Sequence, residues 1–226
     1  MAYTKRIRTL CSLLEETDVF ADVGCDHGYC TEYMLEKELC EHAIFSDVSR
    51  GSLKKAEILL AEYVQNGKAT PVLGDGFYGV ASDVGEVLIA GMGGSEIISI
   101  LSDKKHGFMP KRFVFQPMHD SEKLRRYILE NDGYIERDFT FEDGKFYDVL
   151  VGGRGEKTLP YTEQEYEFGR ENLALRPTAF LNKMKKLLKN VERYLKEPLQ
   201  EESKAELLRK KEKLEGVLGN EITSNL

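Results

Sequence analysis

The stretch FADVGCDHGYCTEYML, Phe20 to Leu35, decides how the rest of the chain is read. Its first residues are apolar and β-prone, Gly24 and Gly28 bracket a tight turn, and a helix follows. A strand running into a glycine-bounded turn and then a helix lets a ligand approach the main chain and the helix's first amides. Here the turn also holds Asp26 and His27, an acid and a histidine where such loops usually carry small residues.

Outward from this stretch, strands and helices alternate. A short amphipathic helix (about Thr4 to Glu16) precedes it. After it, HAIFSDV reads as a second strand and SLKKAEILLAEYVQNG as a helix stopped by Asn66-Gly67. ATPVLGD is a third strand, and VGEVLIAGM a fourth, apolar enough to be buried on both faces. SEIISILSD is a helix, KRFVFQPM a fifth strand and DSEKLRRYILENDG a helix. YIERDFTFEDGKFYDVLVGG then holds two strand runs around Glu142-Asp143-Gly144-Lys145, a hairpin. The pattern predicts an α/β fold, a mostly parallel sheet with an antiparallel edge feature. RGEKTLP reads as a linker, and the segments beyond it, beginning with TEQEYEFGRENLAL, are helical. Phe180, Met184, Leu187, Val191 and Tyr194 make a coiled-coil seam, and Pro198 marks a break at which the last two helices fold back as an antiparallel hairpin. The expected division is therefore residues 1–155 and 156–226.

Composition narrows the function classes. The 226 residues are 41% hydrophobic and 31% charged, as in a folded, soluble protein. No apolar run approaches the ~20 residues of a membrane span. MAYTKRIRTLCSLLEE has no signal-peptide core or cleavage site, so a cytoplasmic location and no membrane partner are expected. Cys11, Cys25, Cys30 and Cys40 form no CxxC pair, and with His27 and His42 they lack the paired short spacings of structural zinc; reduced thiols and no metal are expected. A net charge of −7 argues against a general polyanion binder. Between Arg176 and Lys213, however, twelve Lys and Arg face six Glu. A charge run is usually a solvated face, yet any nucleic-acid contact is expected there, aided by Lys5, Arg6 and Arg8.

In a parallel sheet ligands bind at the carboxyl ends of the strands. The first strand end offers Asp22, Gly24, Asp26, His27 and Gly28; the second offers Asp47 and Val48, with Asp47 placed to accept from a ribose diol. The third ends in Gly74-Asp75-Gly76, where Asp75 suits an adenine amino group, the fourth in Ala90-Gly91-Met92-Gly93-Gly94, the fifth in Gln116-Pro117-Met118. Three acidic strand ends in succession repel a phosphate. They suit an adenosine cofactor carrying a sulfonium and an ammonium, which points to S-adenosylmethionine rather than NAD or ATP; no GxxxxGK[ST] is present either.

ADVGCDHGY (Ala21 to Tyr29), GDGF (Gly74 to Phe77), IAGMGG (Ile89 to Gly94), QPM (Gln116 to Met118) and GKFYDVLV (Gly144 to Val151) together resemble the bacterial tRNA (adenine-22-N1)-methyltransferases over the whole chain. The resemblance implies a Rossmann-like class I S-adenosylmethionine-dependent methyltransferase domain followed by a small helical coiled-coil domain, acting on tRNA. It places Asp26 between the methionine end of the cofactor and the incoming base, with His27 either orienting the base or capping a helix. Asp26, His27 and Gln116 are the candidate catalytic residues. The cofactor candidates are Asp22, Gly24, Asp26, Gly28, Asp47, Val48, Gly74, Asp75, Gly76, Ala90, Gly91, Met92 and Gly93. One departure is DVSRGSL after the second strand, where the family carries a Glu-containing stretch; Asp47 serves the same ribose contact.

Adenine N1 has an in-plane lone pair, so its methylation needs alignment and tolerance of a cationic product rather than a general base. Exocyclic amines are usually methylated by an [Asp/Asn]-Pro-Pro-aromatic loop after the fourth strand, and Gly91-Met92-Gly93-Gly94 is not one. The rival readings are a methyltransferase of small molecules or proteins, a non-catalytic S-adenosylmethionine-binding RNA module, and an NAD oxidoreductase lacking GxGxxG. A monomer or weak dimer is expected.

Overall fold

A computed structural model describes residues 3–155 and 159–219. Among the described residues the sheet has seven strands in the order β3-β2-β1-β4-β5-β7-β6. These are β1 (Thr17–Val23), β2 (Cys40–Asp47), β3 (Ala69–Leu73), β4 (Glu86–Ala90), β5 (Arg112–Gln116), β6 (Gly133–Asp143) and β7 (Lys145–Arg154). The first five are mutually parallel. β7 runs antiparallel to both its neighbours, because the turn at Gly144 folds it straight back from β6. The hairpin therefore inserts β7 beside β5 and leaves β6 at the edge. Pro71, which has no N–H to give to a ladder, lies in β3 at the opposite edge.

Helices cover both faces, which is why the central strands are mostly apolar. The pleat sends alternate residues to opposite sides. Leu88 of β4 and Val114 of β5 join Phe20, Met34, Phe45 and Leu60 in one core. Val87, Ile89, Phe113 and Phe115 join Ala21, Val23, Ile97 and Leu124 in the other. The first core packs α1 (Lys5–Cys11), α2 (Tyr29–Glu36) and α3 (Arg50–Leu59); the second packs α5 (Gly94–Leu101) and α6 (Ser121–Glu130). The single helix expected after β2 is broken at Leu60 into α3 and α4 (Ala61–Gln65). At the amino ends of β4 and β5, buried Glu86 accepts from Arg112 Nε at 2.8 Å, and burial lifts its carboxyl to about 7.

The chain separates into compact units 3–170 and 171–219 within the described residues. The sequence had put the division at 155/156; of the linker expected over 154–160, residues 156–158 lie outside the described residues. The division falls later because α7 (Glu163–Phe168) is tied into the first unit. Arg125, 1% exposed, forms a bidentate pair with Asp138 and donates to the Tyr166 carbonyl at 3.0 Å. Asp138 also accepts from Arg170 N at 3.2 Å. Gly169, at φ 89°, breaks the expected continuous helix into α7 and α8 (Arg170–Leu175). In the second unit α9 (Thr178–Tyr194) and α10 (Glu201–Gly219) pack together, with Phe180, Met184 and Val191 buried on α9 and Leu214 and Val217 on α10. Of the expected seam, Leu187 is half-buried and Tyr194 is 51% exposed.

Candidate functional site

The chain winds outward from β1 in one direction and from β4 in the other, so the loops between these strands diverge. At their carboxyl ends lies a cleft of about 1120 Å³. Gly24, Asp26, Asp47, Val48, Gly74, Asp75, Gly76, Ala90, Gly91 and Met92 share its wall, as their strand-end positions predict.

Two glycines shape the approach. Gly24 has φ 75°, and a Cβ there would run into the Met92 side chain. Gly91 has φ 89°, and a Cβ there would stand 3.0 Å from Arg6 Nη2. The left-handed backbone strains any other residue at both positions, and the Met92 and Arg6 side-chain ends would have to move aside for a Cβ. Asp26 also adopts a left-handed conformation, φ 46°, which Asp tolerates better than most residues. Its backbone N–H donates to Asp47 Oδ2 at 3.3 Å, and its carboxylate lies 3.6 Å from Lys55 Nζ and 3.7 Å from His27 Nε2. Asp47 Oδ1 accepts from Ser49 N at 2.7 Å, so one carboxylate steadies both the Asp26 turn and the start of α3.

Five expected residues stand back from the cleft wall. The pleat of β1 turns Asp22 toward α2, where it is 5% exposed and accepts from Thr31 Oγ1 at 2.9 Å. Burial raises its carboxyl to about 6, against the lowering pull of Thr31. Gly28 is a packing position: a Cβ would sit 3.0 Å from that of Ala56. The N–H of Gly93 is taken by Glu96 Oε2 at 2.6 Å. His27 stacks on Tyr29, the rings 5.3 Å apart and within 7° of parallel. Gln116 is fully buried; its amide donates to the Pro117 carbonyl at 3.1 Å, while its Oε1 accepts from Arg6 Nε at 2.8 Å.

Arg6 is the main residue that sequence reasoning placed elsewhere. Grouped with Lys5 and Arg8 as a nucleic-acid contact, it lines the cleft instead, half-buried, with its backbone N–H on Asp143 Oδ2 at 2.8 Å. Tyr78, Glu96, Asp103 and His106 also line the cleft; Tyr78 and His106 meet edge to face at 5.6 Å. The GDGF motif signalled only its own end of this wall. The Ser46 hydroxyl, on the same wall, is buried and has no hydrogen-bond partner among the described residues.

The wall thus carries five carboxylates, Asp26, Asp47, Asp75, Glu96 and Asp103, and among the described residues Arg6 is its one Lys or Arg. Such a field favours a ligand with positive charge and open hydroxyl or amino donors. Among the described residues no group of three or more His, Cys, Asp or Glu is arranged to hold a metal ion.

Residues 20–219 match the family described as TrmK, tRNA (adenine(22)-N(1))-methyltransferase. The tRNA (adenine(22)-N(1))-methyltransferase of Bacillus subtilis strain 168 is 29% identical over 161 residues, 70% of this chain and 68% of its own length. A protein of the NADB-Rossmann superfamily from Streptococcus agalactiae superposes with a TM-score of 0.86 at 26% identity, over 96% of this chain and 98% of that one. TrmK of M. capricolum, solved with S-adenosyl-homocysteine, shares the fold at a TM-score of 0.86 and 17% identity, over 97% and 99% of the two chains.

Proposed function

The chain belongs to the tRNA (adenine(22)-N(1))-methyltransferase family, and from that premise we propose that its cleft holds S-adenosylmethionine and presents the methyl group to N1 of adenine 22 in tRNA. The observation that carries this reading is the carboxylate-lined wall between β1 and β4, which suits a sulfonium and an ammonium and repels a pyrophosphate. Asp47 accepts from the ribose diol, and Asp75 from the adenine amino group. Gly24 and Gly91 would leave the main chain bare for the amino-acid end, and Ser46 supplies a hydroxyl with no partner of its own among the described residues.

The cofactor, when bound, supplies an electrophilic methyl on sulfur. Adenine N1 carries an in-plane lone pair, so the chain's residues would have no proton to remove beforehand. Its task is to hold nitrogen, methyl carbon and sulfur in line and to accommodate the positive charge that passes to the base. Asp26, fixed by its left-handed backbone and its bond to Asp47, is the carboxylate assigned to that charge. His27, stacked on Tyr29, shapes the turn. The target adenosine must leave its stack to reach the cleft.

The second unit is assigned to tRNA binding. Lys185, Lys186 and Lys189 lie exposed on α9, and Lys5 and Arg8 are exposed on α1. Methyl transfer is assigned to residues up to 170. Among the described residues no helix is long and apolar enough to cross a membrane, and the cytoplasm, where tRNA is found, is the proposed location.

The test is nucleoside mapping by mass spectrometry after incubating the protein with unmodified tRNA and S-adenosylmethionine. One N1-methyladenosine at position 22, absent from a tRNA carrying guanosine there, is expected. Methylation of the N6 amine, or none of any tRNA, overturns the proposal.

A further inference from the structure

We propose that Arg6 is the oxyanion receptor of the cleft, its guanidinium fork taking the paired oxygens of a carboxylate or phosphate on a bound reactant. The inference rests on the reading above and adds to it a specificity-determining residue.

Arg6 stands alone in sign on its wall: among the described residues it is the one Lys or Arg facing five carboxylates. For a purely cationic ligand such a residue is a defect, because it repels what the acids attract. Its charge reaches buried Asp22 behind the wall, and a ligand set that also brings an anion gives its outward donors a partner. Two are available. S-adenosylmethionine carries a carboxylate beside its ammonium, and an extruded adenosine is flanked by backbone phosphates. Both present paired oxygens that match a planar guanidinium.

The fork is built in advance of any ligand. Gln116 is fully buried, and its amide is occupied by the Pro117 carbonyl at 3.1 Å, which turns Oε1 toward Arg6 Nε at 2.8 Å. On the other side the guanidinium carbon lies 5.5 Å from the centre of the Tyr147 ring. The backbone of Arg6 is itself held by Asp143 at 2.8 Å. Nε is thereby used to aim the group, and the terminal nitrogens donate to no partner among the described residues. Gly91 permits this placement, since a Cβ there would lie 3.0 Å from Nη2. Gln116 and Tyr147 orient the side chain and Asp143 holds its backbone, three contacts from two separated parts of the chain, and the terminal nitrogens face the cleft. A surface arginine held only for solubility needs none of them. Gln116 accordingly acts as a positioning residue, through Arg6.

The experiment compares the full-length protein with its Arg6→Gln and Arg6→Lys variants. Calorimetry measures S-adenosylhomocysteine, which has the carboxylate, and 5′-methylthioadenosine, which lacks it. Filter binding measures unmodified tRNA across salt concentrations. If the cofactor carboxylate is the ligand, Arg6→Gln weakens S-adenosylhomocysteine roughly ten- to 150-fold, the usual worth of a hydrogen bond to a charged group, and leaves methylthioadenosine unchanged. If a phosphate is the ligand, cofactor affinity holds, the KM for tRNA rises, and the log–log salt slope falls by about one contact's share. Arg6→Lys keeps the charge without the fork and recovers only part of either loss. Thermal melts identify a variant that has simply lost its fold, and Gln116→Leu then repeats the test by misaiming an intact Arg6. Equal affinities and equal tRNA kinetics in folded Arg6 variants overturn the proposal. Failure of the wild-type protein itself to bind S-adenosylhomocysteine or methylate tRNA overturns the preceding reading instead.

Discussion

Replacing Asp47 with alanine probes the site where its geometry is most explicit. The carboxylate ends β2 half-buried, with Oδ1 on Ser49 N at 2.7 Å and Oδ2 on Asp26 N at 3.3 Å. The long second bond leaves Oδ2 room to accept a ribose hydroxyl. A hydrogen bond to a charged group contributes about 1.5–3 kcal/mol, so its loss weakens cofactor binding roughly ten- to 150-fold at about 1.4 kcal/mol per tenfold. Asp47→Asn keeps the acceptor without the charge. A neutral bond is worth about 0.5–1.5 kcal/mol, so this variant falls between wild type and alanine. Asp47→Ala also frees two backbone N–H groups, one at Asp26 and one just before α3. The unliganded protein should therefore melt earlier, and ligand-induced stabilisation should shrink as affinity falls. Titration calorimetry with S-adenosylhomocysteine, paired with melts of the unliganded variants, measures both effects. An affinity within twofold of wild type for Asp47→Ala would refute the ribose assignment, and an Asp47→Asn affinity equal to that of wild type would refute the role given to charge.

Asp26→Ala should slow single-turnover methylation more than it weakens cofactor binding, because its carboxylate is assigned to the reacting centre; an unchanged rate would make it only a turn residue. Asp22 has a folded pKa of about 6 against an ordinary 3.8, raised chiefly by burial. The folded state thus holds its proton more tightly than the unfolded one, and the stability this gives is complete below pH 3.8 and lost as pH rises through 6. Asp22→Asn should remove that dependence, gaining up to about 3 kcal/mol over wild type at pH 7.5 relative to the difference at pH 3.5; denaturant melts at the two pH values test it, and parallel curves reject it. A chain ending at Gly155 should melt well below one ending at Arg170, because it strips Arg125 and Asp138 of the Tyr166 carbonyl and the Arg170 N–H; equal melting points would contradict the assigned boundary. Charge reversal at Lys183, Lys186 and Lys189 should weaken tRNA binding and flatten its salt dependence without altering S-adenosylhomocysteine affinity; unchanged tRNA binding would leave that helix face as solvated surface.

What was legible in the sequence was local. Strand, glycine turn and helix follow one another between Phe20 and Leu35, and each later unit repeats the alternation, so the strand ends bearing Asp47, Asp75 and Gly91 were readable as one rim. Ten of the expected cofactor residues share the cleft for that reason. Side-chain direction and distant partners were not readable. Asp22 belongs to the right motif, but the pleat and Thr31 turn it under α2. Gln116 ends the right strand, yet burial leaves it touching Arg6 rather than the cleft. Arg6 looked like one more surface cation in a basic cluster, because no periodicity links it to Gln116, 110 residues on. The boundary near 155 followed the reading of RGEKTLP as a linker, whereas the Arg125–Asp138 pair draws α7 into the first compact unit, which runs to 170. Periodicity and turn chemistry act over a few residues, so the sequence alone determined the elements and their order. Which side chains meet across the sheet depends on packing among residues far apart in the chain, and only the tertiary structure decided that.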